Sequence, residues 1–144
     1  MAAERRADVV WEGSLIEGSG TITKTGSGAL PELPVTWASR TESPEGRTSP
    51  EELIAAAHAS CFAMALSHAL AEGGNPPERL ETSATLTFVP GTGITKAALT
   101  VVGRIPGIDE NAFREAAEGA KDGCPVSGAL KGNVELTVDA RLES

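Results

Sequence analysis

Apolar and polar positions alternate over residues 83–89, with Ala84, Leu86 and Phe88 on one side and Thr85 and Thr87 on the other. A period of two predicts a strand with one buried face. The stretch from Thr95 to Ile105 reads as its neighbour, reached through the turn Pro90-Gly91-Thr92-Gly93. The segment from Gly132 to Leu142 closes the chain with Val134, Leu136, Val138 and Ala140 in alternation. Earlier, Val9-Val10-Trp11 starts a strand that runs to about Ile16, Glu17-Gly18-Ser19-Gly20 turns, and the β-branched Thr21-Ile22-Thr23 returns. Val35-Thr36-Trp37 reads as a third strand, and the polar stretch from Arg40 to Thr48, with Pro44 and Gly46, as a loop.

The period changes at Ser49-Pro50-Glu51-Glu52. A capping serine, proline at the first helical position and glutamate at the third form a capping box at a helix start. An alanine-rich helix follows to about Ala71 and is stopped by Gly73-Gly74-Asn75-Pro76-Pro77. At 1.5 Å per residue it is roughly 30 Å long. It carries no charged residue between Glu52 and Glu72, so it is expected to be buried on most faces, against a symmetry mate if need be. A second helix starts after Asp109 and places Phe113, Ala116, Ala117 and Ala120 on one face, and a short helical turn is expected from Cys124-Pro125 to Leu130. Strands interrupted by two helices indicate an α+β fold, in a single domain spanning residues 1–144.

Composition narrows the partners. The net charge is −8, and no basic patch stands out, which argues against nucleic acid or an anionic membrane surface. No apolar run is read as reaching the roughly 18 residues that span a bilayer, and the start lacks a signal-peptide core, so a cytoplasmic protein is expected. Aromatic residues make up only 3%, which leaves the core to Ala, Leu, Val and Ile.

The candidate chemistry is in two cysteines. Cys61 lies in the middle of the long helix, and Cys124 lies in the bendable segment Gly123-Cys124-Pro125. A thiol on a rigid helix and a thiol on a mobile turn suit an attacking and a resolving role, if the fold joins them. Two unrelated buried thiols acting as small hydrophobes remain the alternative. A mid-helix cysteine gains no first-turn dipole, so a thiolate at Cys61 needs a cation nearby. Arg40 is the better source, because a guanidinium stays charged when buried and its fork can be held by a carboxylate such as Glu51. Glu51 and Cys61 are about 15 Å apart along one helix, so Glu51 can act on its own chain's thiol only through Arg40 or across a subunit boundary. His58, three residues before Cys61 on the same side of the helix, is another candidate cation, but a lone histidine in an alanine-rich helix reads more readily as a hydrogen-bonded packing residue, and His68 as packing or surface. A metal-binding or redox-sensing module built on His58, Cys61, His68 and Cys124 is the rival reading, but no compact ligand quartet is visible.

The run from Thr48 to Ser67, with Pro50-Glu51-Glu52-Leu53 and His58-Ala59-Ser60-Cys61-Phe62, resembles the central-helix signature of the OsmC/Ohr family of peroxide-reducing proteins. Gly123-Cys124-Pro125-Val126-Ser127 resembles its second signature, and Trp11-Glu12-Gly13 and Ile105-Pro106-Gly107-Ile108-Asp109 also fit. Two departures are Thr41, where an aromatic is familiar, and Arg47-Thr48-Ser49-Pro50 in place of Gly-Thr-Asn-Pro. The resemblance implies an intertwined homodimer, its long central helices back to back and wrapped by antiparallel-rich sheets. It implies Cys61 as the peroxidatic thiol, Cys124 as the resolving thiol, Arg40 as stabiliser of the thiolate and Glu51 as the group orienting Arg40. It further implies organic hydroperoxides as substrates, an intramolecular disulfide, a lipoyl-type dithiol reductant, and no metal or organic cofactor. A non-catalytic redox sensor on the same fold is the alternative.

Overall fold

The computed structural model describes residues 2–143. The chain divides into two compact units, Met1–Leu53 and Ile54–Ser144. The first unit holds an antiparallel sheet of β1 (Ala7–Glu12), β2 (Ser19–Thr25) and β3 (Leu33–Val35), in that order. β1 is shorter than its apolar pattern suggests. Gly13 takes φ +92°, in the left-handed region, and leads into the Ser14–Gly18 turn before Leu15 and Ile16 can join the strand.

The third strand also ends early, for a capping reason. Thr36 and Trp37 suit a strand by propensity, yet Thr36 caps a short helix, α1 (Trp37–Thr41). The Thr36 hydroxyl accepts from the Ser39 amide at 3.0 Å, and the Ser39 hydroxyl accepts from the Thr36 amide at 3.0 Å. This is a capping box with serine in the third position. Arg40 therefore sits in a helix rather than in the expected loop.

The long helix α2 (Pro50–Glu72) and everything after it match the sequence pattern closely. In the second unit, β4 (Arg79–Val89) pairs antiparallel with β5 (Gly93–Arg104), and β5 pairs parallel with β6 (Glu135–Leu142). α3 (Glu110–Gly123) and α4 (Pro125–Leu130) make the connection that a parallel pair requires. β5 is central, and its Ala97, Leu99 and Val101 are buried in strict alternation. They meet Phe62, Leu66 and Leu70 of α2, and Phe113, Ala117 and Ala120 of α3. Asp109 caps α3 through its side chain, which accepts from the Ala112 amide at 2.8 Å.

Within one chain α2 is not buried on most faces. His58, Phe62, Leu66 and Leu70, four residues apart, form its buried stripe, while Ala56, Ser60, Met64 and His68 lie exposed and Met64 is 73% accessible. The helix is also long and apolar enough, by length and composition, to cross a membrane, with mean hydropathy 1.5. The sequence reading missed this because His58, Ser60, Ser67 and His68 interrupt the apolar run without lowering its average enough. The core helix of a globular protein meets the same test, and the buried stripe of α2 is part of such a core.

β5 ends at a tight contact. A Cβ on Gly103 would lie 2.4 Å from Ile105 Cδ1 and 2.7 Å from Phe113 Cζ, and the Phe113 ring has no room to yield. Gly103→Ala is expected to lower the unfolding free energy by about 1–3 kcal/mol, read as a lower urea midpoint.

Candidate active site

In the first unit, Arg40 and Glu51 form a forked ion pair. Arg40 Nε donates to Glu51 Oε1 at 2.9 Å and to Oε2 at 3.2 Å, and one terminal nitrogen donates to Oε2 at 2.9 Å. The Glu51 side chain is 8% exposed and that of Arg40 29% exposed. A carboxylate so buried needs a charged partner, and the two-point contact fixes the direction of the guanidinium as well as its position. The guanidinium also lies 5.8 Å from the centre of the Trp37 ring, within cation–π range. The local chain is built to hold this pair. Ser39 donates to the Thr48 carbonyl at 2.9 Å, which ties α1 to the segment entering α2, and Thr48 donates to Glu52 at 2.7 Å. The sequence pairing of Arg40 with Glu51 is therefore what the structure contains, carried by α1 and the first turn of α2.

In the second unit, Cys61 and Cys124 are both free thiols, and each is among the groups that shift the other's ionisation. Cys61 is partly buried on α2, and Cys124 is 1% exposed at the N-cap of α4. The pair is asymmetric. Burial pushes the Cys61 thiol above its ordinary value, and donating to Cys124 pushes it further, against the opposing pull of the Val126 amide. Burial would raise Cys124 too, but the Cys61 thiol, the amides of Ser127 and Val126 and the Ser127 hydroxyl together bring it below its ordinary value. The amides act from the first turn of α4 without closing a capping hydrogen bond of ordinary geometry. The two thiols therefore titrate together, with the local influences pushing Cys61 up and Cys124 down.

Sequence reasoning weighed His58 as a packing residue, a cation or a metal ligand, and passed over Ser127. His58 is fully buried, and its Nε2 lies 2.8 Å from the Ser127 hydroxyl. Ser127 is itself 1% exposed and acts on Cys124. Nδ1 of His58 has no hydrogen-bond partner among the described residues. The signal for Ser127 was present: with Cys124 at the N-cap and Pro125 at the first position, Ser127 falls at the third, the place of the reciprocal partner in a capping box. His68 is exposed, and among the described residues no three of His, Cys, Asp and Glu come together as a metal site.

An α+β scaffold carrying a helix-borne thiol against a second thiol at a helix N-cap defines a two-cysteine protein. The chain belongs to the OsmC-like protein family, whose model matches residues 43–139. It is 42% identical over 147 aligned residues, covering 100% of both chains, to a protein of Escherichia coli K12 named peroxiredoxin OsmC. It is 30% identical over 95 residues, 65% of this chain and 70% of the other, to the organic hydroperoxide resistance protein OhrB of Bacillus subtilis. The crystal structure of that OhrB superposes with a TM-score of 0.67 at 26% identity, covering 94% of this chain and 97% of the other.

Burial holds His58 below the ordinary imidazole value of 6.5, so the folded ring stays neutral where the unfolded ring takes up a proton. The unfolded state then binds more protons as pH falls through 6.5, and stability is lost in that direction. His58→Gln is expected to flatten the fall in urea midpoint between about pH 7 and pH 5, measured against the parent protein.

Proposed function

We propose that this protein is a cysteine-based peroxidase that reduces organic hydroperoxides to alcohols. The observation that carries the reading is a pair of free thiols, Cys61 and Cys124, that act on each other's ionisation, in a chain aligned over its whole length with a peroxiredoxin. The Cys61 thiolate attacks the outer peroxide oxygen, the O–O bond breaks, and the alkoxide takes a proton and leaves as an alcohol. Cys61 is then a sulfenic acid. The Cys124 thiolate attacks the Cys61 sulfur, hydroxide leaves with a proton as water, and a disulfide forms before further oxidation. A dithiol reductant of lipoyl type returns two electrons by exchange and restores both thiols.

The local influences on Cys61 oppose its ionisation, so the attacking thiolate needs a charge from elsewhere. Arg40, oriented by Glu51, is the group we assign to that role, because its guanidinium is permanently charged and fixed in direction. The two compact units work as one domain over residues 1–144. The active form is a homodimer with its α2 helices back to back. The exposed stripe of α2 around Met64 and the exposed Val9, Val10 and Ile16 support this, since such apolar surface is costly to leave in water. We assign the protein to the cytoplasm, because a cycle that returns both thiols by dithiol exchange suits a compartment that keeps thiols reduced.

Cumene hydroperoxide, with a dithiol as reductant, is expected to turn over in the parent protein and not in Cys61→Ser. Mass spectrometry should show a Cys61–Cys124 disulfide in the parent and an over-oxidised Cys61 in Cys124→Ser. Turnover retained by Cys61→Ser would rule the mechanism out. Arg40→Ala, made in Cys124→Ser so that one thiol titrates, is expected to raise the Cys61 pKa; an unchanged alkylation profile removes Arg40 as the activator.

A further inference from the structure

The buried His58 is not used by the cycle above, and nothing in packing alone asks for an imidazole at its position. It occupies the core stripe of α2, four residues before Phe62, where an aliphatic side chain would fit the pattern. Its ring instead reaches 69 residues along the chain to Ser127. Both groups are removed from water, so the hydrogen bond between them has no solvent competitor and sets their proton positions.

A serine hydroxyl has one proton to give. With the imidazole proton on Nδ1, Nε2 is an acceptor and takes the Ser127 proton, leaving nothing for Cys124. Nδ1, however, has no partner among the described residues, so a proton there becomes a buried unpaired donor, a rare and costly arrangement. With the proton on Nε2, the ring donates to Ser127 Oγ and the serine proton is free to point at the sulfur. The second arrangement leaves Nδ1 as an unpaired acceptor, less costly than an unpaired donor. Ser127, at the third position of the helix that Cys124 caps, lies where its hydroxyl can turn toward that sulfur, in agreement with its action on Cys124.

We infer that His58 is a positioning residue for the resolving thiol, donating from Nε2 to Ser127 and so directing the Ser127 proton onto the Cys124 sulfur. The inference rests on the resolving role proposed for Cys124. The relay is a chain of donors: imidazole N–H to serine oxygen, serine O–H to sulfur. No bond is made or broken in it, and no proton leaves His58. The groups acting on Cys124 are the Cys61 thiol, the amides of Ser127 and Val126, and this hydroxyl.

The test is a thiol titration without peroxide, in a Cys61→Ser background where Cys124 is the one cysteine. The readout is the pH dependence of alkylation by iodoacetamide. Ser127→Ala is expected to raise the midpoint and to slow alkylation at neutral pH about tenfold, the size of one hydrogen bond to a charged sulfur. His58→Leu should do the same, and the double variant should show no further shift. His58→Gln, whose side-chain amide can still donate to the serine, should keep the parent midpoint. An unchanged midpoint in Ser127→Ala overturns the proposal, as does an unchanged midpoint in a folded His58→Leu. Should His58→Leu not fold, His58→Gln decides the histidine's part: a midpoint raised as far as in Ser127→Ala overturns it. Because no hydroperoxide is used, failure here leaves the peroxidase reading standing, and failure of turnover leaves the titration readable.

Discussion

Helix α2 must bury a stripe four residues apart, and that requirement places the chemistry around it. Phe62, Leu66 and Leu70 pack against the central strand β5 and the face of α3 that carries Phe113, Ala117 and Ala120. With that stripe facing inward, His58 lies in the same buried row and Cys61 lies beside it, partly covered. The Thr82 hydroxyl of β4 donates to the Ala59 carbonyl at 3.1 Å and adds a polar tie at the same level of the helix. Cys61 is therefore held by the largest apolar cluster of its unit. A sulfur so held presents one direction to the substrate of the proposed cycle and to its partner thiol.

Cys124 is held in a different way, by the ends of helices rather than their packed faces. Its amide donates to the Ala120 carbonyl and closes α3, while the residue itself starts α4. A residue between two helices can move by adjusting a few backbone angles, whereas Cys61 could move only by shifting all of α2. In the proposed cycle the resolving sulfur closes the distance, and this division of rigidity assigns that motion to Cys124.

The sequence made the second unit legible because its periods are clean. β4 alternates without a break, α3 has a single apolar face, and the starts of α2 and α3 carry the capping side chains Ser49 and Asp109. It was less successful with α1 and β1, where β-branched and aromatic residues favour a strand but local hydrogen bonds and a left-handed glycine decide otherwise. The Arg40–Glu51 pair could be read because a loop arginine precedes a helix start that carries carboxylates, and Arg40 holds the place of the loop arginine in the family it resembles. The His58–Ser127 contact could not, because 69 residues separate the partners and each has an ordinary local explanation, packing for one and capping for the other.

The asymmetry of the two thiols fits the order of the proposed steps. Before oxidation, the Cys61 thiol is among the donors that hold charge on Cys124, so each sulfur restrains the other. A cation acting on Cys61 draws the charge there for the first attack. Once Cys61 carries oxygen its S–H donor is gone, and Cys124 depends on the donors that α4 brings, the amides of Val126 and Ser127 and the Ser127 hydroxyl. Those donors belong to the same short helix as the thiol they serve, so they travel with it as it approaches the sulfenic acid. Of the three, the hydroxyl alone can turn its proton away, and a histidine that occupies its oxygen as a donor prevents this. The buried imidazole thus matters most at the second step, when the first thiol can no longer help.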